Sequence, residues 1–106
     1  MAESVLQEAE RLINGPRQAG YGHPLDDYDC TGRLWSAMIE SYFRAHGLPD
    51  FRCPDIPAEL GTLMMVGVKI SRETRHETRD NTVDSAGYVG CHDLVIQERA
   101  RRAGSK

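Results

Sequence analysis

Apolar side chains recur at three- and four-residue steps along most of the chain, which is the spacing of amphipathic helices. This periodicity predicts four helices, at about residues 4–14, 26–46, 57–73 and 80–101. No stretch alternates strictly between apolar and polar residues, as a half-buried strand does. The predicted fold class is therefore all-α, with a single domain over residues 1–106 in which the four helices form a small bundle.

Signals at the helix ends support these boundaries. Ser4, followed three residues later by Gln7, is a capping-box pattern for the first helix. Residues 15–25 hold three glycines and two prolines, so we predict an irregular loop there. Asp26 or Asp27 can then cap the second helix, because a carboxylate accepts hydrogen bonds from the free backbone N–H groups at a helix start.

The second and third helices each carry an apolar stripe that we expect to face the core. In the second helix the stripe consists of Leu34, Trp35, Met38, Ile39, Tyr42 and Phe43. In the third helix it consists of Leu60, Leu63, Met64, Gly67 and Ile70. Glycine weakens a helix interior, so Gly67, Gly87 and Gly90 predict places where neighbouring backbones pack closely.

Charged residues lie where the third and fourth helices are predicted to form a hairpin. Lys69 and Arg72 are three residues apart on the third helix. The fourth helix carries, near one face, Asp80, Asn81, Asp84 and Tyr88. In a structural interpretation, the cations and carboxylates form ion pairs that satisfy partly buried charge. In a functional interpretation, the carboxylates hold Mg²⁺ while the cations contact a phosphate.

The glycine-rich loop contains a candidate ligand contact, the sequence YGHP at positions 21–24. Glycine lets the backbone approach a ligand closely, and Tyr21 or His23 could then touch that ligand. The alternative is a tight turn with Tyr21 packed back on the core. Trp35 in the second helix also has two interpretations, a core anchor or a surface on which a base stacks, and the core anchor is favoured.

Composition narrows the range of partners. The net charge of −3 gives no surface-wide positive potential, so nucleic acid is not an expected partner. The three cysteines show no CxxC spacing, which is typical of free thiols in a reducing compartment. No apolar run approaches the roughly 18 residues of a membrane span, and no secretion signal is recognisable. We therefore predict a cytoplasmic protein that does not insert into a membrane.

Four short segments, taken in order, resemble a known group of proteins: YGHP, GRLWSA, LMMVGVKISRE and RDNTVDSAGY. That group consists of small uncharacterised proteins encoded by bacteriophages and prophages, with the patterns YGxP, LWSA, MMxxxKxxR and DNxVDxAGY. These proteins in turn resemble the MazG-like, all-α superfamily of nucleoside triphosphate pyrophosphatases. The resemblance covers about residues 17–92 of the chain.

The MazG-like resemblance implies a four-helix bundle completed by oligomerisation, as a dimer or tetramer, in the cytoplasm of an infected bacterium. It also implies that a nucleotide is held between helices with Mg²⁺ and is cleaved to a monophosphate and pyrophosphate. Asp80 and Asp84 are then the implied catalytic and metal-binding residues. The other acidic motif of that superfamily, which comes earlier in the chain, falls near Lys69 to Arg72, where this chain carries cations instead.

Three functions stay open at this point. The first is a Mg²⁺-dependent pyrophosphohydrolase. The second is a non-catalytic protein that sequesters a nucleotide or signalling nucleotide, and the missing carboxylates motivate it. The third is an oligomeric interaction protein that acts on a host factor. For the first two functions, the predicted ligand-binding residues are Lys69, Arg72, Asn81, Tyr88, Tyr21, His23 and Trp35.

Overall fold

The computed structural model describes residues 2–104, and within that range all regular structure is helical. Five helices follow one another: α1 (Val5–Ile13), α2 (Pro16–Tyr21), α3 (Pro24–Ala45), α4 (Ala58–Arg75) and α5 (Arg79–Gly104). The four long helices lie within a few residues of their predicted bounds, so the all-α prediction is confirmed. None of the helices in this range is long and apolar enough to cross a lipid bilayer.

The start of α1 is built as the capping pattern predicts. Ser4 Oγ accepts the N–H of Gln7 at 3.1 Å, and Gln7 Oε1 accepts the N–H of Ser4 at 2.9 Å. Both donors belong to the first turn, where the helix itself offers no acceptor. The reciprocal hydrogen bonds therefore hold the first turn of α1 in place before it packs along α5.

A short helix, α2, occupies part of the stretch for which the sequence predicts an irregular loop, and that prediction is wrong. Pro16 stands at its start, where a missing N–H has little effect because no intrahelical acceptor is available there. Gly22 ends the helix with a φ of 80° and donates its N–H to the carbonyl of Gln18 at 2.8 Å. Proline and glycine therefore mark the two ends of this helix.

The start of α3 also differs from the prediction. Its N-cap is His23, whose Nδ1 accepts the N–H of Leu25 at 3.0 Å, and Pro24 occupies the first helical position. Asp26 and Asp27 lie inside the first turn and do not cap the helix. Their carboxylates still favour this end of α3, because they face the positive end of the helix dipole.

The hydrophobic core is small and lies where three helices meet. Leu25 of α3, Ala58 of α4 and Val95 of α5 form its buried cluster, and Tyr28 packs against them. Helix α5 is central to this arrangement, since it contacts α1, α3 and α4. The cluster contains one buried residue from each of these three helices. Because so small a cluster buries little apolar surface, the fold also depends on polar contacts between the helices.

The close packing predicted at two glycines of α5 is confirmed. A Cβ added to Gly90 would lie 2.5 Å from Cδ1 of Ile13, and one added to Gly87 would lie 3.5 Å from Cγ2 of the same side chain. Ile13 ends α1, so the missing side chains of α5 let α1 lie directly against it.

The predicted orientation of α4 is wrong. Its apolar stripe faces solvent, with exposed fractions of 46% for Leu60, 47% for Leu63 and 55% for Ile70. The buried residues of α4 are instead Ala58, Gly61, Thr62 and Lys69. The small residues of that set let α3 pack closely against α4, and Lys69 forms an ion pair with Asp84 of α5. Helix α4 therefore buries a side that is not its most apolar one.

The predicted stripe of α3 is buried only in part. Trp35 and Ile39 are half-buried, whereas Leu34, Met38 and Tyr42 are exposed. The chain therefore leaves apolar surface uncovered on two neighbouring helices, α3 and α4.

Candidate functional site

A buried ion pair joins α4 to α5. Lys69 Nζ lies 2.8 Å from Asp84 Oδ2 and 3.7 Å from Asp80 Oδ2. Lys69 and Asp84 are 8% and 7% exposed, whereas most of the Asp80 side chain is in solvent. The hydrogen bond from Lys69 to Asp84 raises the pKa of the lysine above its usual value. Of the predicted ion pairs, those that Lys69 forms with Asp84 and Asp80 are therefore present.

A second cation reaches the same carboxylate from α2. Arg17 Nη2 lies 3.4 Å from Asp84 Oδ1, the oxygen that Lys69 does not use. The Arg17 side chain is 42% exposed, so it is much more accessible than the lysine. The sequence did not indicate this residue, because Arg17 lies in a presumed loop and 67 positions away from its partner.

Arg72 does not take part in this network, and the prediction that it faces Asp80 or Asp84 is wrong. No carboxylate within residues 2–104 forms an ion pair with its exposed guanidinium. Three residues advance a helix by about 300°, so Arg72 is turned about 60° away from Lys69. Arg72 instead lines a shallow groove beside Arg75 and His76.

Asn81 holds the turn between α4 and α5. Its Nδ2 donates to Glu73 Oε1 and to the carbonyl oxygen of His76, both at 3.1 Å. Its backbone N–H is accepted by Thr78 Oγ1 at 3.2 Å. Asn81 is buried, and both donors of its amide are used, so its side chain is committed to the turn.

A cavity with a volume of about 480 Å³ lies between α1, α2, α3 and α5. Volumes of roughly 300–1,000 Å³ are typical of small-molecule sites. We call this cavity the tyrosine cleft, and the residues of its wall that carry chemistry are Arg17, Tyr21, Asp27, Tyr28, Tyr88 and Cys91. Arg17 connects the cleft to the buried Lys69–Asp84 pair, so the predicted charged hairpin forms part of the structure behind this cavity.

The tyrosines of the cleft sit at different depths. Tyr21 is 72% exposed, and Tyr28 and Tyr88 are half-buried. Burial raises the pKa of Tyr28 and of the Cys91 thiol, so both groups stay neutral near pH 7. The sequence predicts Tyr21 and Tyr88 as ligand contacts, and the structure brings them together; Tyr28 and Cys91 were missed. Cys91 follows Tyr88 by three residues on α5, a helical spacing that would have indicated a shared face.

Asp27 places an acid in the same cleft. No side chain within residues 2–104 donates a hydrogen bond to its carboxyl group, and Arg17 pairs with Asp84 instead. Desolvation raises the pKa of Asp27 above its usual value. The cleft therefore presents a cation and a carboxyl group that do not neutralise each other.

Trp35 and His23, like Lys69, Arg72 and Asn81, are predicted ligand contacts that lie outside the cleft wall. Trp35 packs at the contact of α3 with α4, where a Cβ on Gly61 would lie 3.5 Å from its ring. His23 stands between two residues of the cleft wall, but its Nδ1 already accepts the N–H of Leu25. Only Nε2 of His23 remains for a ligand, and Trp35 has the position of the favoured core anchor.

The side chains around Asp84 do not fit Mg²⁺. Within residues 2–104, no group of three or more His, Cys, Asp or Glu side chains is placed to hold a metal ion. Each oxygen of Asp84 already faces a cation, Lys69 or Arg17. A divalent ion bound there would meet two positive charges, and Asp80, the other carboxylate that contacts Lys69, already faces one of them.

Sequence comparison adds the family. A family model described as a domain of unknown function (DUF6378) matches residues 4–101 of the chain. The chain belongs to the DUF6378 family. The Gene 55 protein of Mycobacterium phage D29 is 32% identical to this DUF6378 chain over 98 residues, which are 92% of the chain and 57% of that protein.

The Gene 55 protein of Mycobacterium phage L5 is 31% identical over 88 residues, which are 82% of the DUF6378 chain and 49% of that protein. The chain thus spans about half the length of the curated relatives it matches. These relatives confirm the resemblance to a family with bacteriophage members. No solved structure matches the DUF6378 chain significantly.

Proposed function

We propose that this DUF6378 domain binds a nucleotide-type small molecule, a planar base joined to an anionic group, in the tyrosine cleft and does not cleave it. The observation that carries the proposal is the position of Arg17 among the side chains of Tyr21, Tyr28 and Tyr88 in one cavity. Tyrosine rings stack on planar bases, and a guanidinium forms paired hydrogen bonds with phosphate oxygens.

Arg17 is suited to change partners when an anion arrives. Its contact with Asp84 is long, at 3.4 Å, and its side chain is partly in solvent. Lys69 contacts the same carboxylate at 2.8 Å and is buried. Arg17 can therefore turn toward a phosphate while Lys69 keeps Asp84 neutralised, so the buried carboxylate is never left without a cation.

Asp27 supplies the polar contact for the base. Its carboxyl group has no hydrogen-bond donor within residues 2–104 and forms part of the cleft wall. A carboxylate accepts hydrogen bonds from ring N–H and amino groups, which bases present along one edge. A ligand bound in this way places its base between tyrosines, its polar edge at Asp27 and its anionic group at Arg17.

The Mg²⁺-dependent pyrophosphohydrolase of the MazG-like resemblance is the weaker candidate. That activity needs carboxylates free to hold the metal, whereas Asp84 is paired with two cations. Of the two predicted metal ligands, Asp80 is the one whose side chain is exposed to solvent. A kinship of the helical bundle with the MazG-like proteins is compatible with this difference, because one fold can keep a ligand site after its catalytic groups are replaced.

The proposal is tested by thermal unfolding of the chain with a panel of mononucleotides, di- and triphosphates and cyclic nucleotides, each with and without Mg²⁺. A ligand at 100 times its dissociation constant adds about 2.7 kcal/mol of stability. For a domain of this size, that raises the melting temperature by roughly 10–20 °C. We expect at least one nucleotide to do so without Mg²⁺, and chromatography after incubation to recover it intact.

The variant Arg17→Met should remove this stabilisation. Arg33→Met is the matched control, since Arg33 is an exposed arginine of α3 outside the cleft wall. Stabilisation of Arg17→Met equal to that of the native chain, or no response to any nucleotide, would overturn the proposal. Release of pyrophosphate in the presence of Mg²⁺ would replace it with the pyrophosphohydrolase.

A further inference from the structure

The single chain exposes more surface than a compact protein of its mass. Its accessible surface is 7161 Å² at 11.9 kDa, whereas about 6,000 Å² is typical of a folded monomer of that mass. Its radius of gyration is 16.2 Å, against about 13 Å for a compact chain of this length. The excess surface is therefore about 1,200 Å².

Much of the exposed apolar surface follows one side of α4. We call it the α4 stripe, and it consists of Leu60, Leu63, Met64, Gly67, Val68 and Ile70. The first five positions follow the spacing i, i+3, i+4, i+7 and i+8, which is the pattern of a helix face that packs in a core. No charged residue belongs to the stripe, and each of its large apolar side chains is at least 36% exposed in the single chain.

Gly67 lies in the middle of this stripe, and no close packing within the single chain requires a glycine there. A Cβ added to it would meet no atom within 4 Å, unlike one added to Gly90, which would meet Ile13. Glycine is among the weakest helix formers, so its presence on an exposed helix face is unfavourable without a packing reason. A notch at Gly67 provides one, because it lets a second helix approach α4 closely.

We propose that the α4 stripe is the interface with a second copy of this chain, in which the two α4 helices pack against each other. A stable interface buries about 800 Å² from each partner, and the excess surface of the whole chain, of which the α4 stripe is one part, is larger than that area. A two-fold contact uses the same patch on both copies, so the patch must be self-complementary. The α4 stripe meets this condition, since it combines large apolar side chains with a notch and has no charge to repel its copy.

The first test is the mass of the chain in solution, measured by light scattering during size-exclusion chromatography. We expect twice the 11.9 kDa of one chain, and Leu63→Glu should shift the mass toward the single chain. Leu6→Glu is the matched control, because Leu6 is 72% exposed but lies on α1. Circular dichroism of each variant establishes that the helices are retained.

The second test uses Gly67→Ala, a change that the folded single chain accommodates without a clash. A methyl group in the notch should raise the dissociation constant of the dimer by about tenfold or more. The proposal is overturned by a native chain that stays at the mass of one copy over a wide range of concentration. It is also overturned if Leu63→Glu leaves the dimer intact, or if Gly67→Ala raises the melting temperature without weakening association.

Discussion

Lys69 Nζ and Asp84 Oδ2 lie 2.8 Å apart, and both residues are more than nine-tenths buried between α4 and α5. Neither group could be buried alone, because an unpaired charge in the interior carries a large desolvation cost. The pair therefore determines which side of α4 faces α5. It also leaves Asp84 in contact with Arg17, at the wall of the tyrosine cleft.

Removing one member of this pair should destabilise the fold strongly. We expect Asp84→Ala to lower the free energy of unfolding by about 3–5 kcal/mol, because buried Lys69 would lose its hydrogen-bonded partner and keep the longer contact to solvent-exposed Asp80. Asp80→Ala is the control and should cost less than about 1 kcal/mol, since the Asp80 side chain is 78% exposed. Urea denaturation measures both values, and equal losses for the two variants would contradict the assignment.

The double variant Lys69→Met/Asp84→Leu tests whether the attraction between the two charges exceeds the free-energy cost of removing both from water. Replacement of a buried ion pair by apolar residues of similar volume is often neutral or stabilising by about 1–4 kcal/mol. We therefore expect the double variant to recover most of the stability that Asp84→Ala loses. A double variant as unstable as Asp84→Ala would show that the ion pair itself contributes net stability.

Alkaline pH should unfold the protein through two neutral groups of the cleft. Burial raises the pKa of the Cys91 thiol above its usual 9.0 and that of the Tyr28 phenol above its usual 10.0. The folded chain thus holds these protons more tightly than the unfolded chain. Their contribution to stability is complete below pH 9 and is lost as the pH rises toward the folded pKa values.

Thermal unfolding at increasing pH checks this sign. Cys91→Ala should flatten the decline of the melting temperature above pH 9. Cys30→Ala, at an exposed cysteine, should leave the decline unchanged. A melting temperature that rises above pH 9, or a decline insensitive to Cys91→Ala, would contradict the prediction for the thiol.

Asn81 should act on stability and not on binding. Asn81→Ala leaves Glu73 and the carbonyl oxygen of His76 without their shared donor, so we expect a loss of about 1–3 kcal/mol. Asn14→Ala is the control, because the change removes one exposed side-chain hydrogen bond, from Asn14 Nδ2 to the carbonyl oxygen of Glu10. Loss of nucleotide binding by a folded Asn81→Ala variant would instead support the direct ligand contact that the sequence suggests.

Tyr88 should contribute to ligand affinity if the tyrosine cleft is the binding site. Stacking of a base on an aromatic ring is worth about 1–3 kcal/mol, so Tyr88→Leu should weaken binding roughly 5- to 150-fold. Tyr42→Leu is the control, because Tyr42 is exposed on α3 and lies outside the cleft wall. Calorimetry with the nucleotide found by thermal unfolding measures both variants. Equal affinities would place the base elsewhere.

The helices themselves could be predicted because their signals are local. The Ser4–Gln7 capping box and the apolar periodicity act within one or two turns, and both appear in the structure. The error at α2 is local as well. Pro16 and Gly22 are typical of a loop, but proline also suits a helix start and glycine a helix end.

The candidate site could be predicted only in part. The spacing of Lys69, Asp80 and Asp84 indicated charges that meet between two helices, and these ion pairs form. Arg17 and Asp27 could not be found in this way, because they reach the site from α2 and α3 through the packing of distant segments. Arg72 was misplaced because a three-residue spacing permits a shared face with Lys69 but does not require one, and its side chain lies at the groove beside Arg75 and His76.

By itself, the sequence determined the all-α class and the four long helices, since hydrophobic periodicity and caps act within a helix. It indicated the lysine–aspartate contact as one of two interpretations of the charged hairpin. Only the tertiary structure decided that α4 turns its apolar stripe to solvent and its lysine inward. The physical reason is that α4 can bury either an apolar side or a side that carries a charge matched on α5. That choice depends on which surfaces the neighbouring helices offer, and the periodicity of one helix does not indicate those surfaces.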